Sequence, residues 1–306
     1  RRDRGAIVQP YPLFVDPLVA DLSGASVTWL DSPPPVSEIE GPVSALVFFD
    51  CLSPTTGSFV TDVFKRYGNA LSYAGAGAGN ARLENLPCIF AHGHIFPNAA
   101  VMGLLRSDSS VAVRHGWIRS KGPFLATGCI GNTVVELDWQ PAVDVYRSAL
   151  PPKLARLPRE RLLTDVAPRY PLAIYSEGQE DVVRDPIGVT EDGALVFVSQ
   201  VPENAQIYLL TGDPHSMMRA VRQSLERLRL PPDVTPQVCL TIECFTRTLS
   251  LGEHFSSELG VIAERLAKVA PGLGVEGILA LGEIAGDGER ALEIRNKTVV
   301  VDLIHG

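Results

Sequence analysis

The apolar residues of this chain recur twice in the same order. Ser44-Ala-Leu-Val-Phe-Phe-Asp50 is almost unbroken apolar sequence, the pattern of a strand covered on both faces. Beyond it, Phe59, Val63 and Tyr67 share one stripe with Val60 and Phe64 beside it, which predicts a helix over about 58–67 that Gly68 ends. A strand at Leu71–Ala74 then meets a glycine turn, Gly75-Ala-Gly-Ala-Gly79, and Cys88–Leu105 reads as a hairpin. Toward the other end the order returns: strand Gln237–Glu243, helix Glu253–Val269, strand Gly277–Gly282, a turn at Gly286-Asp-Gly288 and strand Ala291–Ile304. The second helix has the stripe Phe255, Leu259, Ile262, Leu266 and Val269, at clean helical spacing.

Shorter elements fill the middle. Val111–Gly116, Phe124–Cys129 and Thr133–Asp138 read as strands, with a tight turn at Ile130-Gly-Asn132 and a helix over Pro141–Ala149. Pro171–Tyr175, Val182–Arg184, Ala194–Ser199 and Gln206–Leu210 read as further strands. Asp213-Pro214 then opens a helix whose stripe is Met217, Val221, Leu225 and Leu228. The repeat predicts an α/β (α+β) fold of two related lobes, each a mixed sheet flanked by helices. The divisions read as an irregular, proline-rich segment over 1–42, a first lobe over 43–150, a charged proline-rich linker over 151–170 and a second lobe over 171–306. A cleft between lobes is a natural place for a small ligand.

Composition narrows the classes. Of 306 residues, 45% are hydrophobic and 20% charged, as in ordinary globular proteins. The net charge of −8 argues against a nucleic-acid binder, which needs a basic surface. The basic cluster at Lys153–Arg169 alternates with prolines and reads as a solvated strap rather than a phosphate patch. No apolar run is long enough to span a bilayer, and no signal peptide is recognisable behind Arg1-Arg2-Asp3-Arg4. The five cysteines are odd in number and lack a CxxC pair, so reduced thiols in a cytoplasmic protein are the simplest reading.

Several side chains are candidates for chemistry. Arg247 follows a buried-looking strand and can grip a carboxylate or phosphate at two points. Glu283, just past another strand, can receive an ammonium group, so the two together suit an amino acid; an inter-lobe salt bridge is the structural alternative. Cys244 lies nearby, although a nucleophilic thiolate needs a base that the sequence does not supply. Gly75, Gly77 and Gly79, with Asn80 after them, can bring the backbone close to a ligand or simply form a tight turn. No long helix follows, so the dinucleotide-binding reading fails. Arg184 within Arg184-Asp-Pro186 and Asn296 in the last hairpin are ligand contacts or turn residues. His92 and His94 share a face of a strand and, with His115, are the candidates for metal or haem ligation.

Taken together and in order, several of these segments resemble the FIST C domain: Arg184-Asp-Pro-Ile-Gly188, Cys244-Phe-Thr-Arg247, Leu251-Gly-Glu253, Gly282-Glu-Ile284 and Asn296-Lys-Thr298. Tyr73-Ala-Gly-Ala-Gly-Ala-Gly79, His115-Gly116, Gly122-Pro-Phe124 and Glu136-Leu-Asp138 resemble the FIST N domain. The FIST N domain usually opens with an extra strand and helix, a pattern that residues 1–40 do not show clearly. The resemblance implies a non-enzymatic sensor that binds an amino acid or other small polar molecule, without a cofactor. It would signal in the cytoplasm through a partner such as a histidine kinase or cyclic-dinucleotide enzyme, since no output domain is recognisable here. It leaves two alternatives open: a haem-based nitric oxide sensor, and a thiol-dependent or hydrolytic enzyme, for which no G-x-S-x-G elbow occurs.

Overall fold

The computed structural model describes residues 17–80, 82–178, 180–228, 230–232, 234–286 and 291–305. Two sheets face each other with helices on their outer sides. The first runs in the order Thr28–Trp29, Leu18–Asp21, Ala99–Leu105, Ser44–Asp50, Ser72–Ala78, Glu283–Gly286, Ile294–Arg295. The second runs Val275–Ala280, Pro236–Cys244, Val299–His305, Ser109–Arg114. Each contains one parallel pair joined through helix, Ser44–Asp50 with Ser72–Ala78 and Pro236–Cys244 with Val275–Ala280; this is the repeat seen in the sequence.

Helix Thr56–Tyr67 buries Phe59, Val60, Val63 and Tyr67 against Val47, Phe49 and Tyr73 of the first sheet. Helices Pro214–Arg227 and Phe255–Val269 cover the second through Val221, Leu225, Ile262 and Leu266. Between the sheets lie smaller side chains, Ala74, Ala76, Ala280 and Ala285, with Ile242 and Val300. Small residues at the centre of that layer let two sheets approach, with Leu46, Phe48 and Leu240 packed around them.

The lobes exchange strands. Ala99–Leu105 belongs to the first sheet, but its successor Ser109–Arg114 pairs with Val299–His305 in the second. Val275–Ala280 belongs to the second, but Glu283–Gly286 pairs with Ser72–Ala78 in the first. The predicted strand Ala291–Ile304 is likewise broken. Ile294–Arg295 lies in the first sheet and Val299–His305 in the second, with Lys297 at a φ of 55° between them.

A third sheet, antiparallel along its main path, follows the order Val182–Arg184, Leu172–Ile174, Gln206–Thr211, Ile118–Ile130, Thr133–Leu137, Leu195–Phe197, Pro186–Val189. It draws on both 43–150 and 171–306, so those spans do not each keep a sheet to themselves. Residues 151–170 are not an extended strap: Leu162 and Val166 of one helical turn are buried with Tyr146, Leu172 and Phe197. Their prolines and charges face outward while the leucines and valine supply an apolar side.

Two further expectations change. The segment Gly75–Gly79 is not a turn, because strand Ser72–Ala78 runs through it. At Gly75 a Cβ would stand 2.2 Å from the carbonyl oxygen of Val47 on the neighbouring parallel strand, so glycine there serves close strand approach. In the segment 1–42, Leu18–Asp21 is a strand of the first sheet with Leu18, Val19 and Ala20 buried; four residues are too few to show a period in sequence. Residues 1–16 and 287–290, the latter including most of the Gly286-Asp-Gly288 turn, lie outside the described residues.

Candidate functional site

The crossings at 281–282 and 296–298 converge on the end of strand Pro236–Cys244. There the short helix Phe245–Leu251 starts, with Cys244 just before its first turn. Arg247 projects from that helix into the interior, where it is fully buried. Its Nε donates to Glu258 Oε2 at 3.0 Å and its Nη2 to Glu258 Oε1 at 2.5 Å, the two-point geometry expected of a guanidinium and a carboxylate. Nη1 donates to the carbonyls of His115, 2.6 Å, and Lys297, 3.1 Å. The side chain thus ties together helix Phe255–Val269, the chain leading into the third sheet and the crossing at Lys297.

Glu283, Lys297 and Asp185 complete the cluster. Glu283 Oε2 accepts from the Thr298 hydroxyl at 2.6 Å and its backbone N–H at 3.3 Å. Burial dominates and pushes its pKa up to about 8, despite those donors. Lys297 Nζ reaches Asp185 Oδ2 at 3.2 Å and donates to Pro168 O, also 3.2 Å, with the Trp117 ring 5.5 Å away. Thr246 donates to the same Asp185 oxygen. Asn296 is buried, and its Oδ1 has no hydrogen-bond partner among the described residues.

The sequence candidates separate into groups. Arg247, Cys244, Glu283 and Asn296 do meet, but in a closed core where Arg247 is committed to Glu258. Cys244 is buried, and burial first, then Glu283, pushes its thiol pKa far up; this opposes a nucleophilic thiolate. Gly77 exchanges main-chain bonds with the crossing, its N–H to Gly282 O and its carbonyl from Leu281 N–H, so the glycine strand braces that crossing. Gly79 closes the same strand against Leu281. Asn80 organises an exposed loop, accepting from Arg82 N–H and Glu84 N–H.

The histidines are not brought together. His92 and His94 sit on an exposed two-stranded hairpin, His92 at its turn. His115 is buried, with Nδ1 accepting from Trp117 N–H and Nε2 donating to Asp181 O. Both ring nitrogens are used, and burial lowers its pKa, so the ring is neutral. This residue set does not fit haem, and among the described residues no group of three or more His, Cys, Asp or Glu is placed to hold a metal ion.

Arg184 is different. It lines a cleft of about 260 Å³ between helix Thr56–Tyr67 of the first lobe, the third sheet and residues 292–294. Its Nε donates to Gln200 O, and Nη1 to Val183 O and Ile294 O. Only carbonyls hold this guanidinium; no carboxylate of the described residues forms an ion pair with it. Burial and the neighbouring Arg295 lower its pKa to about 10, while Glu293, at the cleft rim, acts in the opposite direction. A buried cation clamped by neutral acceptors is an anion receptor in form.

Sequence reading missed Glu258, Lys297, Asp185 and Glu293. Glu258 carried a visible signal: it stands three residues after Phe255 and four before Ile262, a charge on the apolar stripe. Lys297 stood within the Asn296-Lys-Thr298 segment that resembles the FIST C domain, but its inward course depends on a left-handed backbone at a lysine.

Two family models match the chain, that of the FIST N domain over residues 14–140 and that of the FIST C domain over residues 142–286. No curated protein matches it. No helix among the described residues is long and apolar enough to cross a membrane.

Proposed function

Because the chain belongs to the FIST family, whose domains are associated with sensory signal transduction and small-ligand binding, we propose that it is a receptor for a small carboxylate-bearing molecule held in the Arg184 cleft. The observation that supports this is the buried guanidinium of Arg184, fixed by three carbonyls and unpaired with any carboxylate of the described residues. A ligand carboxylate supplies the missing counter-charge, and Glu293 at the rim can take an ammonium group. An amino acid carries both charges and fits a cleft of this size. The ligand contact therefore moves from Arg247 and Glu283 to Arg184 and Glu293.

The walls of the cleft come from different sheets, so a ligand touching both favours the arrangement in which they are closest. In this reading the change is passed in the cytoplasm to a partner protein, of the histidine kinase or cyclic-dinucleotide enzyme kind. Calorimetric titration of the full chain with the common amino acids and with small carboxylates tests it. One of them is expected to bind and raise the melting temperature, with Arg184→Gln weakening it at least tenfold and Glu293→Gln selectively weakening amino acids against simple carboxylates. Binding unchanged in both variants, or no ligand among the set, would overturn it.

A further inference from the structure

A second cavity, of about 580 Å³, lies on the helix side of the second sheet, away from the Arg184 cleft. Its walls are Phe255, Leu259 and Ala263 of helix Phe255–Val269 and Ile278 and Leu279 of strand Val275–Ala280. Small residues open it: on the helix, nothing lies within 4 Å of where a Gly260 Cβ would stand. Across from that helix, the strand is the edge of its sheet and Leu279 is exposed.

At the inner end of this largely apolar hollow stands Glu243, only 2% exposed. No N–H or O–H of the described residues donates to either of its carboxylate oxygens. Its ionisable neighbours are Glu258 on the facing helix, Glu283, and Arg247, whose Nε is 3.9 Å away and whose donors are already committed to Glu258 and two carbonyls. One guanidinium thus serves two carboxylates, and Glu243 is the surplus one. A buried carboxyl group without a donor is held in its protonated form, here first by burial and then by Glu258, and a cation that reaches it from outside restores its charge.

We propose that this cavity is a second ligand site, for an apolar molecule carrying a protonated amine, with Glu243 as its counter-ion. The apolar body lies between Phe255, Leu259 and Leu279, and the ammonium group reaches Glu243, with the Thr241 hydroxyl beside it as a further acceptor. The site is independent of the Arg184 cleft: its charge is opposite and its lining is apolar.

The test is calorimetric titration of the full chain with 4-phenylbutylamine and with the matching neutral alcohol, 4-phenylbutan-1-ol. The amine is expected to bind at least tenfold more tightly than the alcohol. Glu243→Gln should abolish that preference, and Gly260→Leu, which fills the hollow, should weaken the amine at least tenfold without altering the fold by circular dichroism. Arg184→Gln should leave amine binding unchanged. If Glu243→Gln does not fold, Gly260→Leu and the amine–alcohol comparison decide. Equal affinity for amine and alcohol, amine binding indifferent to Gly260→Leu, or no amine binding at millimolar concentration would overturn the proposal.

Discussion

In the first sheet, strand Ser72–Ala78 is enclosed between Ser44–Asp50 and Glu283–Gly286. The equivalent strand of the second sheet, Val275–Ala280, pairs only with Pro236–Cys244 and leaves its other edge open among the described residues. The helices differ in the same sense. Thr56–Tyr67 packs Phe59, Val60 and Val63 closely on its sheet, whereas Phe255–Val269 presents Gly260 and Ala263 beside a cavity. The same unit therefore serves once with its helix packed closely on its sheet, that helix also lining the Arg184 cleft, and once with a cavity between helix and sheet edge; the difference on the sheet side comes from one added strand and two small residues.

Glycine tests that contrast most severely. Gly75 and Gly277 occupy like places, each on the second strand of a parallel pair, opposite Val47 and Thr241. A Cβ at Gly75 would lie 2.2 Å from Val47 O, but at Gly277 it would lie 3.2 Å from Thr241 O. Gly75→Ala should cost more than about 3 kcal/mol, since an enclosed strand cannot shift to relieve the overlap. Gly277→Ala should cost less than about 1 kcal/mol because an edge strand can move. Urea denaturation of both variants measures the difference, and equal losses would erase the distinction between the two strands.

The buried ion pair comes next in size and has no counterpart among the described residues of the first lobe. Arg247→Met leaves Glu258 charged and unpaired in the core and should destabilise by about 3–5 kcal/mol. The double variant Arg247→Met with Glu258→Gln should recover part of that loss in the same denaturation assay. No recovery would assign the role of Arg247 to its two carbonyl contacts instead.

A smaller effect is the pH profile. Burial raises Glu283 to about 8 and Asp302 to about 7 in the folded chain, from ordinary values of 4.5 and 3.8. The native state then holds more protons than the unfolded one across that interval. These groups' contribution to stability is fully present below the unfolded values and is lost as pH rises through the folded ones. The melting temperature of wild type relative to Glu283→Gln should fall between pH 5 and pH 8. A constant difference would place Glu283 outside this linkage.

How much of this was legible follows from where the information resides. Strand Ser44–Asp50, helix Phe255–Val269 and the Asp213 cap are written in local pattern, and they stand within a few residues of expectation. The strand through Gly75–Gly79 was misread because glycine runs usually mark turns; here they mark crowding that only the neighbouring strand reveals. Sheet membership left no local trace, since Ser109–Arg114 would read alike in either sheet. At the site, Arg247 and Glu283 were visible as charges beside strands. Glu258, the partner of Arg247, and the donor-poor setting of Glu243 depend on how one helix lies against the next. Arg184 was equally visible, and what distinguishes it from Arg247 is the lack of a carboxylate, which no sequence pattern encodes.

The exchanged strands carry a consequence for the gene as much as for the molecule. Cut between residues 141 and 142, the chain would yield two pieces, each carrying away a ribbon that completes the other's sheet: 109–114 with the front piece, 283–286 with the rear. Neither piece is a free-standing cassette, so shuffling, fusion or fission of this unit should preserve both segments together. The boundary between the two family matches marks a joint in the text, and the interlocked ribbons make it a place where the protein cannot be taken apart.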